Sequence, residues 1–359
     1  MAAFTGQLRS NEIFSALYNM IISQEVFADN LGKHQTLVDK ARVDGGLYGD
    51  TKLYYSTDVL KSAPWGNDAE AANLLALHRP EAPEIQAIHL DIFRQICLTV
   101  DNYLSKRAWS TEGAFSSFNS VMLGWMRETK RVYDGTLYNV FIGTTKAAGE
   151  GQTISVDLAG ATSLTGVEKE QMEAMLIAQA LADLMVAMGD YSRDFNDYGN
   201  LRSYAEDGIK VIWNSKFVNK IRKIDLPTIF HKDGLMDKFE EEVLPERYFG
   251  DIQTEGHTSV AGERSVVEKD YTVSGKITHV FPGDLIPVGA TVAANESYKA
   301  PAKDVICKVL VKLPPYMSAF EVGTSFFNPK SLTENHYLTF GHNTIEYLKN
   351  YPFITVQVK

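Results

Sequence analysis

The sequence predicts an α+β protein of two or three lobes, and three observations carry that reading. The 359 residues exceed what a single hydrophobic core usually organises. Stretches with helical apolar spacing, over residues 9–31, 110–142 and 165–188, are interleaved with stretches that alternate with period two. The last forty-seven residues hold nine Phe or Tyr, and the sequence closes on the alternating run Tyr351-Pro352-Phe353-Ile354-Thr355-Val356-Gln357-Val358-Lys359. Chain ends are loose unless docked, so so apolar a segment is expected to be built into a core or into a neighbouring molecule.

The elements follow in order. Residues 9–31 read as an amphipathic helix with Ile13, Leu17, Met20/Ile21 and Gln24 on one face and Phe14, Ile22 and Phe27 beside it, a cap at Ser10-Asn11 and a stop at Gly32. Residues 33–84 are polar and punctuated. A glycine-rich turn, Asp44-Gly45-Gly46-Leu47-Tyr48-Gly49-Asp50, lies between two polar strands, the second at 52–59, which together suggest an extended hairpin projecting from the body. Residues 85–104 fit a helical period and an alternating one equally; their β-branched content favours strand.

Residues 110–142 predict a beam-like helix, capped by Ser110 or Thr111, with an apolar stripe through Phe115, Phe118, Met122, Trp125, Thr129, Val132 and Tyr133. A strand is expected at 152–158. Thr165-Gly166-Val167-Glu168 has capping-box spacing and opens a Met-rich helix closed by Gly189. A short buried strand at 209–213 leads to a helix capped by Ser215. Asp233-Gly234 is read as a turn before a helix at 235–241, with Phe239-Glu240-Glu241-Glu242 on its solvated face. Residues 265–313 are rich in strand and turn signals.

Composition excludes several functions. A net charge of −10 and no long basic run argue against a protein whose main task is gripping nucleic acid. Cys97 and Cys307 are too far apart in sequence for a disulfide framework or zinc spacing, and are expected to be small buried apolar residues. No basic-then-apolar leader and no run of roughly 18 apolar residues is visible, so neither a signal peptide nor a membrane span is expected. Seventeen Tyr and eighteen Phe fit either aromatic cores or protein–protein interfaces.

No catalytic pattern stands out. Gly143-Thr144-Thr145-Lys146 lacks the glycine spacing and terminal hydroxyl of a phosphate loop, and no nucleophile elbow, paired-histidine zinc motif or paired cysteine occurs. His89 and Asp91 offer two metal ligands without a third. His231-Lys232-Asp233 is better explained by its turn than as a general base. His336 and His342, within the aromatic terminus, read as satisfied core or interface histidines. No catalytic, cofactor-binding or metal residue is therefore assigned.

The order of elements, with Ala108-Trp109-Ser110-Thr111-Glu112-Gly113-Ala114-Phe115 opening the beam helix, resembles the major capsid proteins of tailed bacteriophages, in particular podovirus-like ones. The stretches that carry the resemblance are Leu98–Tyr103, Met122–Met126, Phe230–Leu235, Leu244–Gly250, Leu313–Tyr316 and Tyr337–His342, and they span nearly the whole chain. The resemblance implies an N-terminal arm at 1–32 and an extended loop at 33–84. It also implies a peripheral domain from 85–150 and 316–359 with the spine helix, and an axial domain at 151–315 with a β insertion within 251–312. It settles residues 85–104 as strand.

The function implied is a structural protein, not an enzyme. It would self-assemble as hexamers and pentamers into an icosahedral shell around double-stranded DNA, with scaffolding, portal and decoration proteins as partners and no cofactor. No Lys–Asn pair for an intersubunit cross-link is carried over. The competing readings are an encapsulin-like compartment shell and an α+β enzyme that would be sensitive to substitution of His231 or His342.

Overall fold

The computed structural model describes residues 37–45, 51–62, 77, 79–101, 112–145, 153–222, 240–300 and 304–359. The expected helix at 9–31, most of the glycine-rich turn and the His231-Lys232-Asp233-Gly234 segment lie outside these residues. Two compact units are present, one from Met1–Asp50, His89–Tyr138 and Tyr316–Thr344, the other from Thr51–Ile88, Asn139–Pro315 and Ile345–Lys359.

In the first unit a short helix, α1 (Leu37–Ala41), leads into strand β1 (Arg42–Asp44). With β4 (Leu90–Asp101), β17 (Tyr316–Asn328) and β18 (Thr333–Asn343), β1 forms a four-stranded sheet in the order β1-β17-β18-β4. β1 runs parallel to β17 and the other pairings are antiparallel. β18 pairs with β4 from Thr333↔Asp101 to Asn343↔Leu90, which makes residues 90–101 strand. Side chains of β4 alternate between exposed and half-buried, as an antiparallel strand with one covered face should.

The long helix α2 (Glu112–Ile142) has 31 residues and is about 46 Å long at 1.5 Å per residue; its residues through Tyr138 belong to the first unit, and Asn139–Ile142 to the second. Of the predicted stripe, the side chains of Phe115, Phe118 and Met122 lie outside the described residues, Tyr133 is buried, and the remaining three positions are not. Met126, Lys130, Tyr133, Asp134 and Tyr138 are buried, whereas Trp125 is exposed and Thr129 and Val132 are half-buried. The covered face is rotated by about one residue because it includes a mutually neutralising Lys130–Asp134 pair, which a hydropathy pattern cannot register.

The second unit is centred on a five-stranded sheet of β6 (Thr153–Val156), β7 (Lys210–Asn214), β8 (Glu240–Leu244), β16 (Val305–Leu310) and β19 (Phe353–Val358), ordered β6-β19-β16-β7-β8. β16 is antiparallel to both neighbours, and the outer pairs are parallel. Helix α3 (Gly166–Gly189) lays Ile177, Leu181, Leu184 and Met188 over Val211, Trp213, Ile306, Val309 and Ile354. Among the described residues α3 is the one helix that by length and composition would qualify to cross a membrane; here its apolar face forms the sheet's core. Helix α4 (Ser215–Arg222) follows β7.

A hairpin pairs β2 (Lys52–Ser56) with β3 (Glu84–Ile88). A β-rich module completes the unit. β9 (Gly250–Gln253), β11 (Arg264–Ser265), β15 (Tyr298–Lys299) and β5 (Thr144–Thr145) form one small sheet, β10 (His257–Thr258) pairs with β14 (Thr291–Val292), and β12 (Lys269–Val273) with β13 (Lys276–Val280). Tyr271, Val280, Ile286, Val292 and Tyr298 form its core. The β12–β13 turn, Ser274-Gly275, has φ of 50° and 79°, the left-handed pair that a two-residue hairpin requires.

Several expectations are corrected. Residues 316–359 were expected in one domain; β17 and β18 are in the first unit, but β19 is an internal strand of the second. Local alternation cannot distinguish these outcomes, because both sheets accept the same pattern. The 42–44 strand pairs with β17, not with 52–56, so the glycine-rich stretch is not the hairpin's turn. Glu240–Leu244 is an edge strand, not the end of a helix; Lys210 pairs with Glu240 and the Trp213 indole donates to Glu241, and an edge tolerates such charge.

Thr165 makes no capping-box bond, and Gly189 is the last residue of α3. The α4 cap is Asn214, whose Oδ1 accepts the Lys216 N–H at 3.1 Å, rather than Ser215. Cys307 is buried as expected, but Cys97 stands on the exposed face of β4.

Candidate assembly surfaces and the braces beneath them

The β2–β3 hairpin is amphipathic in the wrong sense for a lone protein. Its outward side chains, Leu53, Tyr55 and Ile85, are 49, 62 and 53% exposed, and Val59 and Leu60 continue the apolar surface beyond it. Tyr55 and Ile85 face each other across the register. The opposite face carries Ser56, Gln86 and Ile88, which are buried. Two-stranded hairpins have little stability of their own, so the order of this one must come from its root.

That root is a polar lattice. Gln86 donates to the Tyr347 carbonyl at 3.0 Å and accepts the Lys349 N–H at 3.0 Å. Asn200 Nδ2 donates to Ser56 Oγ at 2.6 Å, and Arg202 to the Thr57 carbonyl at 2.5 Å. Asp58 accepts the Leu201 N–H at 2.9 Å and the Arg193 guanidinium at 2.6 Å. The bond from Leu201, together with that from Arg193, holds the Asp58 carboxyl down to about 2.

A second apolar surface is the far half of the β17–β18 hairpin. Residues 321–327 are exposed on both faces of β17, including Val322, Phe326 and Phe327, with Leu332 at the turn. Side-chain bonds stiffen the adjoining rungs: Gln95 donates to Thr339 at 2.9 Å and Thr99 to Asn335 at 2.7 Å, each across a β4–β18 pair.

At its near end this sheet is fastened to α2 through buried polar groups. Asp134, 1% exposed, accepts Tyr316 Oη at 2.6 Å and Lys130 Nζ at 3.0 Å, and Arg42 lies 3.3 Å away. Lys130 also approaches Glu321 at 3.5 Å and lies over the Phe340 ring. Burial, then Asp134, push the Tyr316 phenol up, so it stays a donor. His342 bridges Tyr133 Oη at 2.9 Å and the Asn343 carbonyl at 2.9 Å, and burial lowers its pKa, which keeps the imidazole neutral. The predicted core reading of His342 is the one observed; His336 is half-buried on the same strand, 4.0 Å from Glu334.

In the second unit the last turn of α2 meets two buried lysines. Lys299 Nζ donates to the carbonyls of Val140 and Tyr248, and burial holds its pKa well below the usual lysine range. Lys308 donates to the Thr144 carbonyl at 2.9 Å and Thr355 Oγ1 at 2.7 Å and lies over Phe353. Amine donors at a helix C-terminus satisfy its otherwise unpaired carbonyls. Gly143 follows the helix, and a Cβ there would sit 2.1 Å from the Tyr248 carbonyl, so the close backbone approach requires glycine.

Asp91, one of the two ligand-like residues, accepts both the N–H and hydroxyl of Thr344 at 2.6 Å. Among the described residues no group of three or more His, Cys, Asp or Glu is arranged to hold a metal. Sequence reasoning missed Lys130, Asp134, Lys299 and Lys308, because charged residues in a core are invisible until their partners are placed.

No protein-family model and no curated protein matches the chain. Solved structures do. The capsid structure of Staphylococcus phage Andhra superposes with a TM-score of 0.52 over 93% of this chain and 84% of that one, at 11% identity. The structure of the head fibre and inner core protein gp22 of native bacteriophage P68 contains a chain that superposes with 0.55 over 88 and 82%, at 12% identity. This chain has the phage capsid fold. The capsid fold accounts for an α+β architecture in which nearly the whole length, not one segment, finds a counterpart.

Proposed function

We propose that this protein is the major capsid protein of a tailed bacteriophage, a structural protein that self-assembles into an icosahedral shell around double-stranded DNA. The observation that carries the reading is the capsid fold over nearly the whole chain, joined to a hairpin whose apolar outer face is exposed among the described residues. The unit with α2 and the four-stranded sheet corresponds to the peripheral domain, and the unit with the five-stranded sheet and β-rich module to the axial domain, which then includes residues 345–359. Among the described residues the extended loop is represented by the β2–β3 hairpin.

Assembly works by multivalent burial rather than by chemistry. Single contacts are modest, and closure by symmetry makes many of them cooperative. The hairpin's apolar face is covered by a neighbouring subunit within hexamers and pentamers. The net charge of −10 limits adhesion of packaged DNA to the wall. Scaffolding, portal and decoration proteins are the further partners, with assembly in the host cytoplasm and residence in the virion.

Sizing and negative-stain electron microscopy of the purified protein test this. Shells or ring-shaped capsomers are expected. A stable monomer under all assembly conditions, with residues 51–62 and 79–88 resistant to protease, would contradict it.

A further inference from the structure

The β-rich module, residues 250–300, carries two histidines in an unusual setting. His279 on β13 places Nδ1 2.6 Å from Asp270 of β12 and Nε2 3.0 Å from Glu268 in the preceding segment. Asp270 and His279 are direct cross-strand partners. His257 on β10 places Nε2 2.8 and 2.9 Å from the two Glu263 oxygens and Nδ1 3.1 Å from the Glu255 carbonyl. Every ring nitrogen of both histidines therefore faces an oxygen acceptor.

A neutral imidazole has one N–H, so it satisfies only one of the two contacts and turns a lone pair toward the other oxygen. Only the doubly protonated ring completes both. Of the other neighbours, His257 lies on the Tyr298 ring at 4.4 Å between centroids and His279 meets Phe281 edge-on at 5.1 Å; burial works against the charge, and the oxygen acceptors outweigh it. We propose that protonation of His257 and His279 latches this module closed, and that it loosens as pH rises, a switch separate from any contact between subunits.

The mechanical link runs through Glu263. Its Oε2 also accepts the Val260 N–H at 3.1 Å, and its backbone N–H donates to the Val260 carbonyl at 3.5 Å, closing the 260–263 turn. The Glu263 carbonyl accepts the Ile286 N–H at 2.9 Å, joining that turn to a core residue. Loss of the His257 proton leaves the Glu263 carboxylate, 7% exposed, without its cationic partner. Loss of the His279 proton leaves Asp270 and Glu268 facing each other across a neutral ring.

The sign follows. The carboxylates Glu263 and Asp270, with Glu268 and the Glu255 carbonyl, raise both histidine pKa values. The stabilisation is therefore complete below the ordinary histidine value of about 6.5 and is lost as pH rises through the raised values.

The test is hydrogen–deuterium exchange of the full chain at pH 5.5, 7.0 and 8.5, corrected for intrinsic exchange, with ¹³C-histidine NMR reporting both titrations. Protection of peptides covering 255–263 and 268–281 should fall roughly two- to fivefold across this range, the span that exposed ion pairs supply, while α3 stays constant. His279→Gln should flatten the response at 268–281 and leave that at 255–263. Constant protection of both peptides, an equal loss in α3, or histidine pKa values at or below 6.5 would overturn the latch.

Discussion

Strand β19 makes the sharpest test of where the aromatic terminus goes. Ile354 is fully buried and pairs in register with Val309 of β16, in the core that α3 covers. Ile354→Ala removes three carbons where neighbours on two strands and a helix limit collapse, so the cost is about 2–5 kcal/mol. For a folding unit of this size that lowers its Tm by roughly 5–15 °C. Deleting residues 350–359 goes further. It removes Phe353, Ile354 and Val356, all buried, at about 1.5–3 kcal/mol each for transfer alone, and it strands β6 without its partner. The sum matches the entire stability of an ordinary domain, about 5–15 kcal/mol. Far-UV circular dichroism and thermal denaturation of the substituted and truncated chains measure both effects. A truncated chain that melts cooperatively at the wild-type temperature, yet fails to assemble, would make the terminus an interface and refute its placement in the sheet.

Four further outcomes are expected. Asp134→Ala strips buried Lys130 of its best partner and should cost about 2–4 kcal/mol in chemical denaturation, with Tyr316→Phe costing about 1 kcal/mol. Gly143→Ala drives a methyl into the Tyr248 carbonyl and should destabilise by more than 3 kcal/mol or abolish soluble expression, as strain at a closed backbone approach does. The Asp58 carboxyl, lowered to about 2, anchors the hairpin at full strength above its unfolded value near 4 and releases it as pH falls from about 4 to 2; hydrogen exchange at 52–56 should rise over that window and, in Asp58→Asn, already at neutral pH. Leu53→Asp with Ile85→Lys should leave subunit melting within about 0.5 kcal/mol of wild type and eliminate shells by electron microscopy, because both side chains are exposed in the subunit.

Legibility followed periodicity. The beam helix was readable within two residues of its ends, because 31 residues repeat one pattern. The strand at 90–101 was readable only as an ambiguity, since β-branched residues at every fourth position satisfy both periods, and β18 resolves it by pairing along its length. The braces were not readable. Lys299 and Lys308 look like solvated charges until a helix C-terminus and a threonine are brought to them from far along the chain, and Lys130 and Asp134, four residues apart on α2, look like a solvated helix pair until Tyr316 and Phe340 cover them.

By itself the sequence determined an α+β chain with a long helix, a strand-rich second half and a terminus too apolar for solvent, because each follows from local spacing and composition. Only the tertiary structure decided that this terminus divides, with Tyr316–Asn343 completing one sheet and Phe353–Val358 threading the middle of another. Alternation states that a strand will bury one face or two. Which sheet receives it depends on partners dozens to hundreds of residues away, and pairing energy is realised only when the fold brings them together.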